Sequence, residues 1–300
     1  MNREAMFEKI GKDAKGKKLI DGLPEEFVFD VEKVPLLYTG LDGNTKRLDG
    51  KSTVINKTTG KAYGPVSDNY CPIANREALG SVGYIKDMTL RKYGEAKNGT
   101  QWLIGELPER KILGDEFKPF VVFRNSFSGA SMIQMAMAPL RVVCKNQISM
   151  AIRTSNYSYS LRHTKNAGEK MEEAHVIMNK AINFMDDLEH QAEYFAKLKV
   201  GGKETEAIVD EMFPVNPKES ELQQERAIAR RAAFIEALRA PDLANFGGTA
   251  WGLINAYSDV ITHYQPVRTT ETVQENRFLT ITFDPRWMSA FIKAVQRVAA

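Results

Sequence analysis

Cysteine is almost missing from this chain: Cys71 and Cys144 are the only two in 300 residues. Two isolated cysteines cannot build a Cys-rich zinc site. Both lie in apolar surroundings, which favours buried free thiols in a reducing compartment over a disulfide. Long hydrophobic runs are missing as well. No apolar stretch approaches the roughly 18 residues that would suggest a membrane span, and the opening "MNREAMFEKIGKDAKGKK" lacks the apolar core of a signal peptide. A cytoplasmic location is the expectation. Histidine is scarce, with 4 in all. Glu172 with His175, and Asp187 with His190, have the carboxylate-x-x-His spacing used by metal-bridging bundle helices. They lie 15 residues apart on one predicted helix, roughly 22 Å at 1.5 Å per residue, and cannot share an ion. Only His163 and His263 remain to complete such a site, so solvated pairs on a helix face are expected, and no metal.

Catalytic signatures are equally sparse. The segment "GKDAKGKK", residues 11 to 18, nearly spells a phosphate loop, but Lys18 stands where Ser or Thr should ligand magnesium and no apolar strand precedes Gly11. It reads as a flexible basic arm, with no nucleotide and no other cofactor implied. The serines of "NSFSGAS" lack the G-x-S-x-G elbow of a hydrolase and are adequately explained by loop chemistry. The most informative absence is of acid. From Phe117 to Gly168 there is no Asp or Glu, although the whole chain carries 38 and has a formal net charge of only +3. The same 52 residues hold seven cations, Lys118, Arg124, Arg141, Lys145, Arg153, Arg162 and Lys165.

What is present describes an α+β protein, an antiparallel sheet-rich N-terminal half packed with a helical C-terminal half. A hydrophobic content of 43% over this length supplies a substantial core. Residues 1–50 read as an N-terminal arm with one docked element, "FVFDVEKVPLLY". Residues 51–165 read as a β-rich core. It opens with a hairpin around Thr-Thr-Gly-Lys with Gly60 at positive φ, then a helix capped by Asn75, and strands at 89–94, 101–107, 119–127 and 131–143. Residues 166–300 read as helical. "EKMEEAHVIMNKAINFMDDLEHQAEYFAKLKV" is amphipathic, Asn216 with Pro217 and Asp284 with Pro285 look like helix starts, and "TAWGLINAYSDVITHY" is a further helix. The alternation of "RFLTITF" predicts a strand returning to the sheet.

Within the acid-free window, Leu140 to Cys144 reads as a buried strand that passes through Lys145 and Asn146 into an apolar pattern at helical spacing. Cations, Asn and unpaired N–H groups at a helix start suit phosphate. Next, Arg153, Arg162 and Lys165 bracket Tyr157 and Tyr159, a mixture of cations and rings that suits a single strand whose bases stack while its backbone follows positive charge. The candidate nucleic-acid-binding residues are Arg124, Arg141, Lys145, Asn146, Arg153, Tyr157, Tyr159, Arg162 and Lys165. Against this stands a structural reading in which Arg141 pairs with an acid from the helical half and the two tyrosines pack on the sheet.

Three blocks carry a resemblance: "NKTTGKAYGPVSDNYCPIANREAL", "PLRVVCKNQISMAI" and "AWGLINAYSDVITHY". Occurring in this order over about residues 52–290, they resemble the phage and plasmid-like protein family catalogued as a domain of unknown function. Its Arg-Val-Val-Cys-x-Asn signature maps onto Arg141, Cys144 and Asn146. The resemblance implies a setting in mobile-element DNA metabolism and no particular activity. The element order is also similar to that of phage single-strand annealing proteins. Together these readings lead to the expectation of a single-stranded DNA-binding protein that promotes annealing or recombination as a homo-oligomer. The rivals are an interaction protein that binds a host factor or regulates replication, and a nucleic-acid-processing enzyme.

Overall fold

The computed structural model describes residues 22–80, 87–141, 146–147, 158–167, 170, 183–264, 273–284 and 286–299. Its architecture is α+β, with antiparallel sheets in the N-terminal half of the chain and helices in the C-terminal half. The chain divides into two compact units, each assembled from three segments. The first takes Met1–Pro108, Phe120–Met137 and Ser155–Ile182, and the second takes Glu109–Pro119, Ala138–Thr154 and Asn183–Ala300.

In the first unit, β1 (Val31–Thr39), β2 (Thr45–Asn56) and β3 (Ala62–Ser67) form a three-stranded antiparallel sheet in that order. The β2–β3 turn follows from its residues. Asn56 Oδ1 accepts from the backbone N–H groups of Thr58 and Thr59, and Gly60 takes φ +70° to return the chain. β2 runs through residue 50, and Phe27, Val28 and Phe29, in the segment expected to dock, are buried in the first unit. Phe29, Val54, Tyr63, Val66 and Phe127 make one apolar cluster, with the rings of Phe29 and Tyr63 stacked at 6.1 Å. The short helix α1 (Asn75–Gly80) follows. Asn75 does not cap it. Fully buried, its amide donates to the Phe27 carbonyl at 2.8 Å and its Oδ1 accepts from Asn125 at 2.9 Å.

The larger sheet uses β4 (Thr89–Glu95), β5 (Thr100–Glu106), β6 (Arg110–Ile112), β7 (Asp115–Ser126), β8 (Ile133–Arg141), β9 (Asn146–Gln147) and β10 (Ser158–Leu161). Its path is β10-β8-β7-β5-β4, with β6 beside β7 and β9 beside β8. The two long strands change unit along their length. β7 starts in the second unit and ends in the first, and β8 does the reverse.

The second unit carries α2 (Phe184–Lys197), α3 (Gly202–Met212), α4 (Glu221–Leu238), a 3-10 turn over Pro241–Phe246, α5 (Ala250–Asp259), α6 (Val273–Phe283) and α7 (Arg286–Val298). α5 runs on as a π-helical turn over Val260–Tyr264. No helix among the described residues is long and apolar enough to cross a membrane. Two expected features are corrected here. "RFLTITF" is helical in α6, its burial does not alternate, and the Thr282 hydroxyl donates to the Phe278 carbonyl one turn back at 2.9 Å. Asn216 closes a turn, accepting from the Lys218 N–H, and α4 starts four residues later on a Ser220–Gln223 capping box.

An aromatic stack centres this unit. Tyr257 and Phe291 lie parallel at 4.0 Å, and Phe234 meets Phe291 edge-on at 5.7 Å. Gly252 is needed in α5 because a Cβ there would stand 2.4 Å from the Phe246 carbonyl oxygen. Phe291 is fully buried, so Phe291→Ala should lower unfolding free energy by about 3–5 kcal/mol through lost transfer and the cavity left behind. Denaturant titration measures this, and a loss under about 1 kcal/mol would contradict the assigned core.

Candidate nucleic-acid interface

One row of side chains crosses the larger sheet within the first unit. Gly94, Trp102 and Arg124 are directly opposed across β4, β5 and β7, and Gln134 opposes Ser160 across β8 and β10. Arg124 Nε donates to Gln134 Oε1 at 2.6 Å, and the Gln134 amide donates to Ser160 Oγ at 2.9 Å. The guanidinium is therefore held in the plane of a polar ladder that ends on exposed Ser160. Half-burial draws the Arg124 pKa below its ordinary value. Gly94 makes room for the Trp102 indole, because a Cβ at 94 would lie 2.7 Å from the ring.

Successive strand residues alternate faces, so Tyr159 points to the other side of the sheet from Ser160, where it is 6% exposed. Burial raises its phenol pKa, and its hydroxyl has no hydrogen-bond partner among the described residues. Tyr159 is thus a core residue and not a stacking platform.

The turn after β10 presents charge outward while anchoring itself inward. Arg162 and Lys165 are exposed and make no ion pair among the described residues. Between them His163 turns in. Its carbonyl accepts from Cys71 N–H at 3.1 Å, and its ring stacks on Tyr70 with centroids 4.6 Å apart. The Tyr70 hydroxyl donates in turn to the Ser126 carbonyl. Both His163 ring nitrogens are buried, and desolvation, opposed by a hydrogen bond with the Cys71 backbone, pulls its pKa down to about 4. His163 and Tyr70 were absent from the predicted site. Tyr70 lies in the Tyr-x-Pro-x-x-Asn block of the sequence, which was the available signal. Cys71 in the same block is half-buried and not interior.

Arg141 belongs to the second unit, and its predicted role is corrected. It is fully buried. Nε and Nη2 reach Asp115 Oδ2 at 2.8 and 2.7 Å, Nη1 reaches Asp242 Oδ2 at 2.6 Å, and Nη2 donates to the Asp242 carbonyl at 2.9 Å. Two carboxylates and a carbonyl engage all three of its nitrogens, and with no solvent exposure the fork presents nothing to phosphate. Asn146 pairs with Arg141 in the β8–β9 ladder, so a strand stands where a helix start was expected. Lys118 pairs with Glu109 at 2.7 Å. Lys145, Arg153 and Tyr157 lie outside the described residues, as do Glu172 and His175. Among the described residues no group of three or more His, Cys, Asp or Glu is placed to hold a metal ion.

One family match covers residues 62–280, which takes in the second and third sequence blocks and all of the first except its opening residues 56–61. The chain belongs to the family Domain of unknown function (DUF932). The DUF932 match takes in Tyr70, the Arg124 ladder, Arg141 and the Arg162–Lys165 turn. No curated protein and no solved structure matches the chain.

Two outcomes are expected. Arg141→Ala should cost about 3–5 kcal/mol, because it leaves two carboxylates facing a void; chemical denaturation of the variant reads this, and unaltered stability would return Arg141 to the ligand candidates. The depressed pKa of His163 means that the unfolded chain binds the proton more readily than the folded one between about pH 6.5 and 4. Stability from this group is present above pH 6.5 and lost as pH falls toward 4, on the order of 3 kcal/mol. Melting the wild type and His163→Phe across this range should show a flatter pH profile for the variant; parallel profiles would refute the assignment.

Proposed function

We propose that the protein binds single-stranded DNA through the first unit, along the Arg124–Gln134–Ser160 ladder and the Arg162–Lys165 turn, and promotes annealing or recombination for a phage or plasmid. The observation that carries this reading is the turn itself. Two exposed cations without acidic partners among the described residues flank a neutral, buried His163 that fixes the backbone between them. The turn directly follows β10, the last strand on its side of the sheet path, within the 52 residues that contain no acid. Charge without internal neutralisation is the footprint of a polyanion site. The mobile-element setting rests on the resemblance of the three sequence blocks, and assembly into a homo-oligomer would set several such turns along one strand.

Internal pairing of Lys118 and Arg141 changes the expected salt response. Within the first unit Arg124, Arg162 and Lys165 are the candidates for phosphate contact, so the log-log slope of affinity against salt should not exceed about 2.1, at roughly 0.7 per phosphate. Fluorescence anisotropy with a labelled single strand and its duplex, each at several salt concentrations, measures it. The single strand should be preferred, and the Arg162→Glu/Lys165→Glu variant should bind it at least about tenfold more weakly while melting normally. Absence of binding, or a slope near zero, would rule out phosphate recognition. Equal affinity for polyglutamate would turn the reading toward an acidic protein partner.

A further inference from the structure

α4 has two apolar faces, although a helix on a protein surface needs only one. Ala227, Ala233, Phe234 and Ala237 are buried. On another side Ile228, Ala232 and Ile235 recur at the i, i+4, i+7 spacing of a second stripe, with Ile228 54% exposed. With Val215 alongside, they line an open groove bounded by Arg231, Glu236 and Arg239. The charges along this stripe are ordered. Glu225 lies seven residues before Ala232 and Arg239 seven residues after it. That is two turns either way on the same face, roughly 10.5 Å from the centre at 1.5 Å per residue. Both are exposed and unpaired among the described residues, whereas Arg231 is already engaged by Asp210.

A face with acid at one end, base at the other and a small residue in the middle is complementary to itself when reversed. We propose that a second copy of this chain docks here, α4 against α4 in antiparallel orientation, with the twofold axis at Ala232. The missing side chain at the crossing point lets the helices approach, Ile228 and Ile235 pack on either side, and Glu225 of each copy meets Arg239 of the other. Parallel docking is disfavoured because it would set Glu225 against Glu225 and Arg239 against Arg239. This inference rests on the oligomeric part of the reading above and not on the DNA-binding part.

Sedimentation velocity of the full chain without DNA, over a range of concentrations, tests it. The wild type should form a concentration-dependent dimer or a larger assembly built on it, and Ala232→Arg should shift it to smaller species with an unchanged melting temperature. Glu225→Arg and Arg239→Glu should each weaken association about tenfold by placing like charges in contact, and the double variant should restore it. Restoration by the double exchange cannot come from general destabilisation, and it carries the test if Ala232→Arg fails to fold. A wild type that is monomeric throughout, an assembly indifferent to Ala232→Arg, or a double variant as weak as the singles would overturn the proposal. Anisotropy on the same proteins separates the two readings. Single-strand binding by a wild type that stays monomeric would sink this interface alone, and an intact dimer without DNA affinity would sink the nucleic-acid reading alone.

Discussion

Arg141 is the fixed point of the second unit. A guanidinium with no solvent contact needs its charge answered from within, and here two carboxylates and a carbonyl engage all three nitrogens. The consequences spread through sequence-distant segments. Asp115 opens β7, Asp242 sits in the 3-10 turn that leads into α5, and Arg141 itself ends β8 beside β9. A polar cluster of this kind specifies which segments meet, because an apolar residue at 141 would strand both carboxylates and one at 115 or 242 would leave part of the guanidinium unanswered. Hydrophobic packing of Phe234, Tyr257 and Phe291 supplies bulk attraction and is less particular about its partners.

The first unit uses the opposite device. Its basic turn is pinned by a neutral, buried imidazole stacked on Tyr70. With an uncharged residue between the two cations, Arg162 and Lys165 meet no acidic partner among the described residues. The Arg124 ladder uses neutral groups as well: the Gln134 amide orients the guanidinium and is itself held by the Ser160 hydroxyl.

The features legible in the sequence were those determined within a few residues. The β2–β3 hairpin could be read because Asn56 and Gly60 make the turn by themselves, and the strands of the larger sheet because Gly and Pro mark their ends. The α+β class followed from the change of period. Illegible features depend on distant neighbours. "RFLTITF" has the alternation of a strand, yet a hydroxyl bond one turn back and the packing of α6 overrule it. Asn216 with Pro217 mimics a helix start, while the capping box four residues later wins because it satisfies two donors at once. In the candidate site, the acid-free window named Arg162 and Lys165, which are exposed, together with Arg141 and Tyr159, which are interior. Composition cannot distinguish a cation facing water from one whose acid lies a hundred residues away, as Asp242 does from Arg141.

β7 and β8 each pass from one unit into the other, and each unit collects three separate stretches of chain. No single cut releases either unit as a continuous polypeptide, and no single insertion could have added one to the other. In evolutionary terms the two must be inherited together: gene fusion, truncation or exon-like exchange, the ordinary routes by which modules are traded, are closed to them. During synthesis the same interleaving imposes an order. The first unit cannot be completed until its last stretch has emerged, well after the ribosome has produced the opening segments of the second.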